Sequence, residues 1–155
     1  SFLLECCGVN RIAPQRVILE VTESFSIERN SRALLTLTLL RNTGFRIALD
    51  DFGTGYSSLC MMKTFKFDRL KLDRSLISDL ANDTTSQAVF DAAVTMGLKI
   101  GAEVVAEGIS EESLVEPVRS AGCTHLQGFL FSRPIEAGAV DAYFREGRSP
   151  ARKVA

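Results

Sequence analysis

Cysteine and histidine are scarce in this chain, and neither is spaced for chemistry of its own. The four cysteines, Cys6, Cys7, Cys60 and Cys123, form no Cys-x-x-Cys pair, and His125 is the single histidine. A zinc cluster and a disulfide framework are therefore not expected. Adjacent Cys6 and Cys7 in an apolar run read as small buried thiols, suited to a reducing, cytoplasmic compartment. Net charge is lacking too: Lys+Arg 18 against Asp+Glu 19 leaves a formal charge of -1. No positive field is available to gather bulk DNA or RNA. A small anionic ligand needs only a few local charges and a metal ion. No apolar run approaches the roughly 20 residues of a membrane helix, so this segment is expected to make no membrane contact, even if a parent protein is anchored through another domain.

What is present is an alternation of strand and helix signals. At 155 residues the chain suits one domain or one piece of a larger one. Phe2 to Gly8 reads as the last turns of a helix, so the segment is expected to begin inside a larger unit. Val17 to Thr22 is β-branched and reads as a buried strand. Glu28 to Thr43 follows with Ala33, Leu34, Leu37 and Leu40 at helical spacing. Strands are predicted at Phe45–Asp50, Leu70–Asp73, Lys99–Ala106 and His125–Leu130. Helices are predicted from Ser57 to Lys63, from Asp83 to a stop at Gly97, from a cap at Ser110 to Gly122 with a break at Pro117, and from Glu136 to Arg145. Residues 1–146 form the folded unit and 147–155 a loose tail. Such a series implies an α/β fold with a parallel sheet covered by helices, either an open sheet or part of an eight-stranded barrel.

Strand parity then sorts the polar residues. One face of each strand is apolar or small. The other carries, near its C-terminal end, Glu20, Asp50, Lys71 with Asp73, Glu107 and Gln127. Ligands bind at that end of parallel α/β sheets, so these positions can meet in one site. Lys71 could neutralise a polar plug, but several carboxylates against one lysine leave an excess of negative charge that calls for a cation. Oxygen ligands without a Cys or His cluster favour Mg²⁺ or Mn²⁺. Asp50 ends a strand and Asp51 opens a turn, so both carboxylates can address adjacent ions at the roughly 3.5–4 Å separation of two-metal hydrolases.

The stretches Glu20-Val21-Thr22-Glu23-Ser24, Asp50 to Leu59, Leu70-Lys71-Leu72-Asp73-Arg74-Ser75, Val105-Ala106-Glu107-Gly108 and Gln127 to Pro134 resemble, in order and spacing, the motifs of the EAL family. The resemblance implies a partial TIM-like (β/α)8 barrel and, in the parent protein, hydrolysis of cyclic-di-GMP to pGpG with two Mg²⁺ or Mn²⁺ ions. It implies Glu20, Asp50 and Asp51 as metal ligands, with Asp50 bridging, Lys71 as the residue that orients the nucleophilic water, and Glu107 as general base. Gln127, Asp73 and Arg133 would contact ligand, with a core or helix-cap role as the alternative for the last two. Glu23 would anchor a switch loop, Phe52, Gly53, Thr54, Gly55, Tyr56, Ser57 and Ser58, that links metal binding to dimerisation. Expected partners are cyclic-di-GMP, a second copy, and a fused sensor or GGDEF domain.

Two positions depart from the family pattern: Ser110 stands where a glutamate is usual, and Phe129 where a tyrosine is frequent. The first three barrel strands, with at least two metal ligands, have no counterpart before Val17. The isolated segment is therefore expected to be inactive and to need the missing N-terminal part of the barrel. A non-catalytic cyclic-di-GMP receptor is the main alternative. An aldolase-like barrel using Lys71 as a Schiff-base nucleophile is a third, disfavoured because carboxylates keep a lysine charged.

Overall fold

The structure, a computed structural model, describes residues 2–22, 31–55, 58–80 and 82–145. Their elements are α1 (Phe2–Val9), β1 (Ile18–Thr22), α2 (Ser31–Asn42), β2 (Arg46–Phe52), α3 (Ser58–Thr64), β3 (Arg69–Leu72), α4 (Thr84–Lys99), β4 (Glu103–Ala106), α5 (Val115–Ser120), β5 (His125–Leu126) and α6 (Val140–Arg145). All four strand pairs are parallel and the spatial order is β1-β2-β3-β4-β5. This decides between the two architectures open to the sequence. A doubly wound sheet reverses direction part-way through its strand order, whereas consecutive neighbours throughout are the arrangement of a barrel wall.

One face of the sheet is dry. Ile47, Leu49, Leu70, Leu72, Val104 and Ala106 are fully buried under the helices, with Met61, Phe90 and Val94 among the side chains that cover them. The expected strand parity holds here, because a strand packed under helices must turn every second residue toward them.

Several boundaries differ from the sequence expectation, each for a local reason. α4 runs past Gly97 to Lys99. Gly97 is buried because the helix lies hard on the sheet: a Cβ there would sit 2.6 Å from Val104 Cγ2. The chain reverses instead at Gly101, φ +77. Ser110 caps no helix. A 3-10 turn at Glu112–Leu114 is preceded by Glu111 and leads into α5, whose Pro117 lies in the first turn, where its missing N–H costs nothing. β5 ends at Leu126, so strand alternation does not extend to Phe129, which is 60% exposed.

Asp83 caps α4 as expected, accepting from the backbone N–H of Thr85 and Ser86 and from the Ser86 hydroxyl. The Ser86 hydroxyl, with these amides, holds its carboxyl below the usual carboxylate range. Asp83→Ala is expected to lower the thermal midpoint while Asp83→Asn leaves it nearly unchanged, because asparagine caps as well as aspartate. Equal midpoints for the two variants would show that the cap contributes nothing.

Candidate functional site

The C-terminal ends of β1 to β4 bring four charged side chains to one point. Lys71 Nζ lies 2.8 Å from Asp50 Oδ1, 2.9 Å from Glu107 Oε1 and 3.0 Å from Glu20 Oε2. Lys71 is the buried charged residue among those described, at 6% exposure. Burial works to lower its pKa, but the Asp50, Glu107 and Glu20 carboxylates beside it outweigh that and hold the ammonium above its ordinary value. A Schiff-base lysine needs the opposite. Burial pushes the Glu107 carboxyl up, and Lys71 offsets only part of that.

Asp50 and Asp51 reach the same place through a backbone irregularity. Strand β2 does not stop at Asp50 but continues to Phe52, and its register with β3 shifts between Leu49 and Phe52. Asp51 has φ 55, a left-handed conformation that aspartate tolerates better than most residues. The bulge adds one residue, so consecutive side chains escape alternation. Carboxylate oxygens of Asp50, Asp51 and Glu107 consequently lie within 4.8 Å of one another.

One atom marks this as more than a charge-balanced plug. Asp50 Oδ1 is buried and has no donor in hydrogen-bonding geometry, its Lys71 contact being one of charge. A buried oxygen without an aligned donor is costly, and the cluster holds three carboxylates around one ammonium. The donor set is all oxygen, as a hard divalent cation requires.

The remaining expected residues are placed differently. Asp73 accepts from Ser75 N at 2.9 Å and caps a 3-10 turn. Ser75 N–H lowers its pKa. Gln127 is exposed. Its N–H donates to Ala106 O and its carbonyl accepts from Ile109 N, which stitches it beside the end of β4. With Phe129, Arg133, Pro134, Tyr143 and Phe144 it lines an open depression of about 480 Å³, in which the Arg133 guanidinium lies 4.7 Å from the Phe129 ring centre. In the expected switch loop Phe52 is a buried strand residue, and Thr54 turns back on Asp51 O through N and Oγ1. Glu23, Tyr56 and Ser57 lie outside the described residues, as do residue 146 and the whole expected tail, 147–155.

Parity reasoning passed over a second layer, at the opposite end of the same face. Arg46, Arg69 and Glu103 open β2, β3 and β4, and Glu103 Oε2 accepts from Arg69 at 2.6 Å and lies 3.0 Å from Arg46 Nη2. Burial pushes Glu103 up, but the two arginines outweigh it and its pKa falls below the usual range. The even spacing of Arg46 from Asp50, of Arg69 from Lys71 and of Glu103 from Glu107 is the available signal.

The model of the family described as "EAL domain" matches residues 1–134. The chain belongs to the EAL domain family. Over 126 residues, 81% of this chain, it is 41% identical to MucR of Pseudomonas aeruginosa, described as a bifunctional diguanylate cyclase/cyclic di-GMP phosphodiesterase. It superposes on the crystal structure of the EAL domain of Mycobacterium smegmatis DcpA with TM-score 0.87 and 33% identity, covering 96% of this chain and 66% of that one. A manganese and cyclic-di-GMP complex of Klebsiella pneumoniae BlrP1 matches with TM-score 0.81 and 35% identity, covering 86% of this chain and 34% of that one. The five strand-helix units are thus part of an EAL barrel. The chain spans 16%, 21% and 18% of the length of three curated relatives. Among the described residues no helix is long and apolar enough to cross a membrane.

Proposed function

We propose that this chain supplies part of the catalytic site of a cyclic-di-GMP phosphodiesterase. The observation that carries the reading is the meeting of Asp50, Asp51 and Glu107 oxygens within 4.8 Å, with a buried Asp50 oxygen held by charge against Lys71. Glu20, Asp50 and Asp51 would hold two Mg²⁺ or Mn²⁺ ions. When bound, such ions lower the pKa of a coordinated water and neutralise charge on the phosphate oxygens.

Around them the chain's own groups divide the work. Lys71, kept protonated by its neighbours, orients the attacking water and offsets charge developing on the phosphoryl group. Glu107, whose carboxyl is already pushed up by burial, takes the proton from that water. Gln127 and Arg133, exposed beside the open depression, would contact the ligand. Asp73, in contrast, has its carboxylate committed to the backbone. The Glu107 assignment depends on a half-buried carboxylate beside a permanent cation, which suits proton transfer better than bare ion pairing does.

The test is hydrolysis of cyclic-di-GMP by the full-length protein, since this chain covers 66% of one solved EAL chain. Asp50→Ala and Glu107→Gln are each expected to lower kcat by at least about a hundredfold while ligand affinity changes far less, because their contribution grows in the transition state. Near-normal turnover by either variant under saturating Mg²⁺ overturns its assignment. Tight binding by the unsubstituted protein without Mg²⁺- or Mn²⁺-dependent turnover would establish a receptor instead.

A further inference from the structure

The residues that follow β3 touch both carboxylate-bearing turns. Immediately after Lys71 and Leu72, Asp73 caps a single 3-10 turn, Arg74–Leu76. The turn is closed by Leu76 N to Asp73 O and Ile77 N to Arg74 O, and pinned from below by Ile77, which is fully buried. The neighbouring strands are tied to its root. Asp73 N donates to Phe52 O, and Glu107 N donates to Leu72 O.

On one side lies Gly53, two residues beyond Asp51, with φ +109; a Cβ there would stand 2.6 Å from Leu76 Cδ1 and 2.7 Å from Leu76 Cγ. On the other lies Gly108, next to Glu107, with φ +74; its Cβ would stand 2.6 Å from Arg74 Cβ and 2.8 Å from Arg74 Cγ. Both glycines therefore combine a left-handed backbone with a side chain seated on the bare α-carbon. Gly101 makes the contrast: it is left-handed at φ +77, yet nothing lies within 4 Å of its Cβ position. Left-handedness alone does not bring a neighbour in, so the contacts at 53 and 108 belong to the turn between them.

We propose that the Arg74–Leu76 turn is the positioning element of the site: Leu76 sets the Asp50–Asp51 bulge by packing on Gly53, and Arg74 sets Glu107 by laying its alkyl stem on Gly108. This rests on the phosphodiesterase reading for what the carboxylates do, and on packing alone for how they are held. Residues that fix ligands without touching the metal change affinity or activity by about 10–100-fold when removed. Arg74 acts through its methylenes, so its charge is dispensable here.

The experiment uses the full-length protein and two readouts, Mn²⁺ binding by calorimetry and steady-state hydrolysis of cyclic-di-GMP. Leu76→Ala is expected to weaken Mn²⁺ binding by about tenfold or more, with Leu76→Val, which keeps most of the apolar volume, intermediate and available if alanine does not fold. Arg74→Ala is expected to lower kcat about tenfold with KM little changed, and Arg74→Met, which keeps the stem and removes the charge, to restore it. Methionine as poor as alanine at 74 would show that the guanidinium itself acts, and unchanged Mn²⁺ affinity in both Leu76 variants would show that the turn holds nothing; either overturns the proposal. If the unsubstituted protein binds Mn²⁺ but does not turn over, the phosphodiesterase reading fails, and weakened binding in Leu76→Ala still upholds the positioning role. Absence of Mn²⁺ binding by the unsubstituted protein overturns both.

Discussion

Replacing Lys71 by methionine is expected to lower the stability of the metal-free protein by about 3–5 kcal/mol near neutral pH, the usual cost of removing one partner from a buried ion pair. Three carboxylates lie 2.8–3.0 Å from its ammonium. Without it, Asp50 and Glu107 confront each other as like charges in a site with little water, their side chains 18% and 16% exposed. Glu20 is 47% exposed, so water screens much of its share and the lower end of the range applies. Methionine keeps the apolar volume, so the loss reports charge rather than a cavity. Denaturant unfolding in EDTA and in millimolar Mg²⁺ separates two roles. A divalent cation should recover part of the lost stability, because it supplies the missing positive charge, but turnover should stay at least about a hundredfold low, because a positioned donor is still absent. An unchanged unfolding midpoint in EDTA would show that Lys71 does not hold the cluster together.

Gly128→Ala is expected to be the most damaging glycine-to-alanine change among the glycines whose Cβ surroundings the structure describes. A Cβ at Gly128 would fall 2.0 Å from Ile109 O, 2.3 Å from Ile109 N and 2.6 Å from Ile109 C. These are backbone atoms, so no rotamer change relieves the overlap. The same segment carries hydrogen bonds from Ile109 N to Gln127 O and from Leu130 N to Ile109 O, and moving it apart breaks both. Overpacking and lost backbone bonds together put the cost at about 3 kcal/mol or more, a fall on the order of 6–12 °C in thermal midpoint for a domain of this size. Gly138→Ala, with nothing within 4 Å of its Cβ position, is the control and should melt nearly as the unsubstituted protein does. If the two variants melt together, the Gly128–Ile109 approach is not a feature of the folded protein.

Much of the site was legible in the sequence because strand parity is a local property. Glu20, Asp50, Lys71 and Glu107 share a parity within strands packed under helices, and a polar residue at the end of an otherwise apolar face stands out. Lys71 pairs with the other three, whereas Asp73 and Gln127, which share the same face by parity, do not join the cluster. Parity stops being informative where a strand ends. β5 stops at Leu126, so no alternation governs Phe129, and strand length depends on hydrogen bonds to a neighbour that the segment does not encode. Gly97 was misread as a helix stop for a related reason. Glycine ends helices and also lets helices approach sheets, and only the position of Val104 and Leu70 against it shows which applies.

The sequence by itself determined the parallel α/β class, the family, and the set of carboxylates and lysine that belong together, since these follow from periodicity and from motifs read along one strand at a time. Tertiary structure decided what periodicity leaves open. It chose barrel wall over open sheet, as the motif resemblance implied and strand-helix alternation could not, because strand order is a relation between distant segments. It brought Asp50 and Asp51 to one side through a bulge in register against β3, which the dipeptide permits but cannot require. It also placed Leu76 against Gly53 and Arg74 against Gly108, because contacts between loops depend on how strands are stacked beside one another.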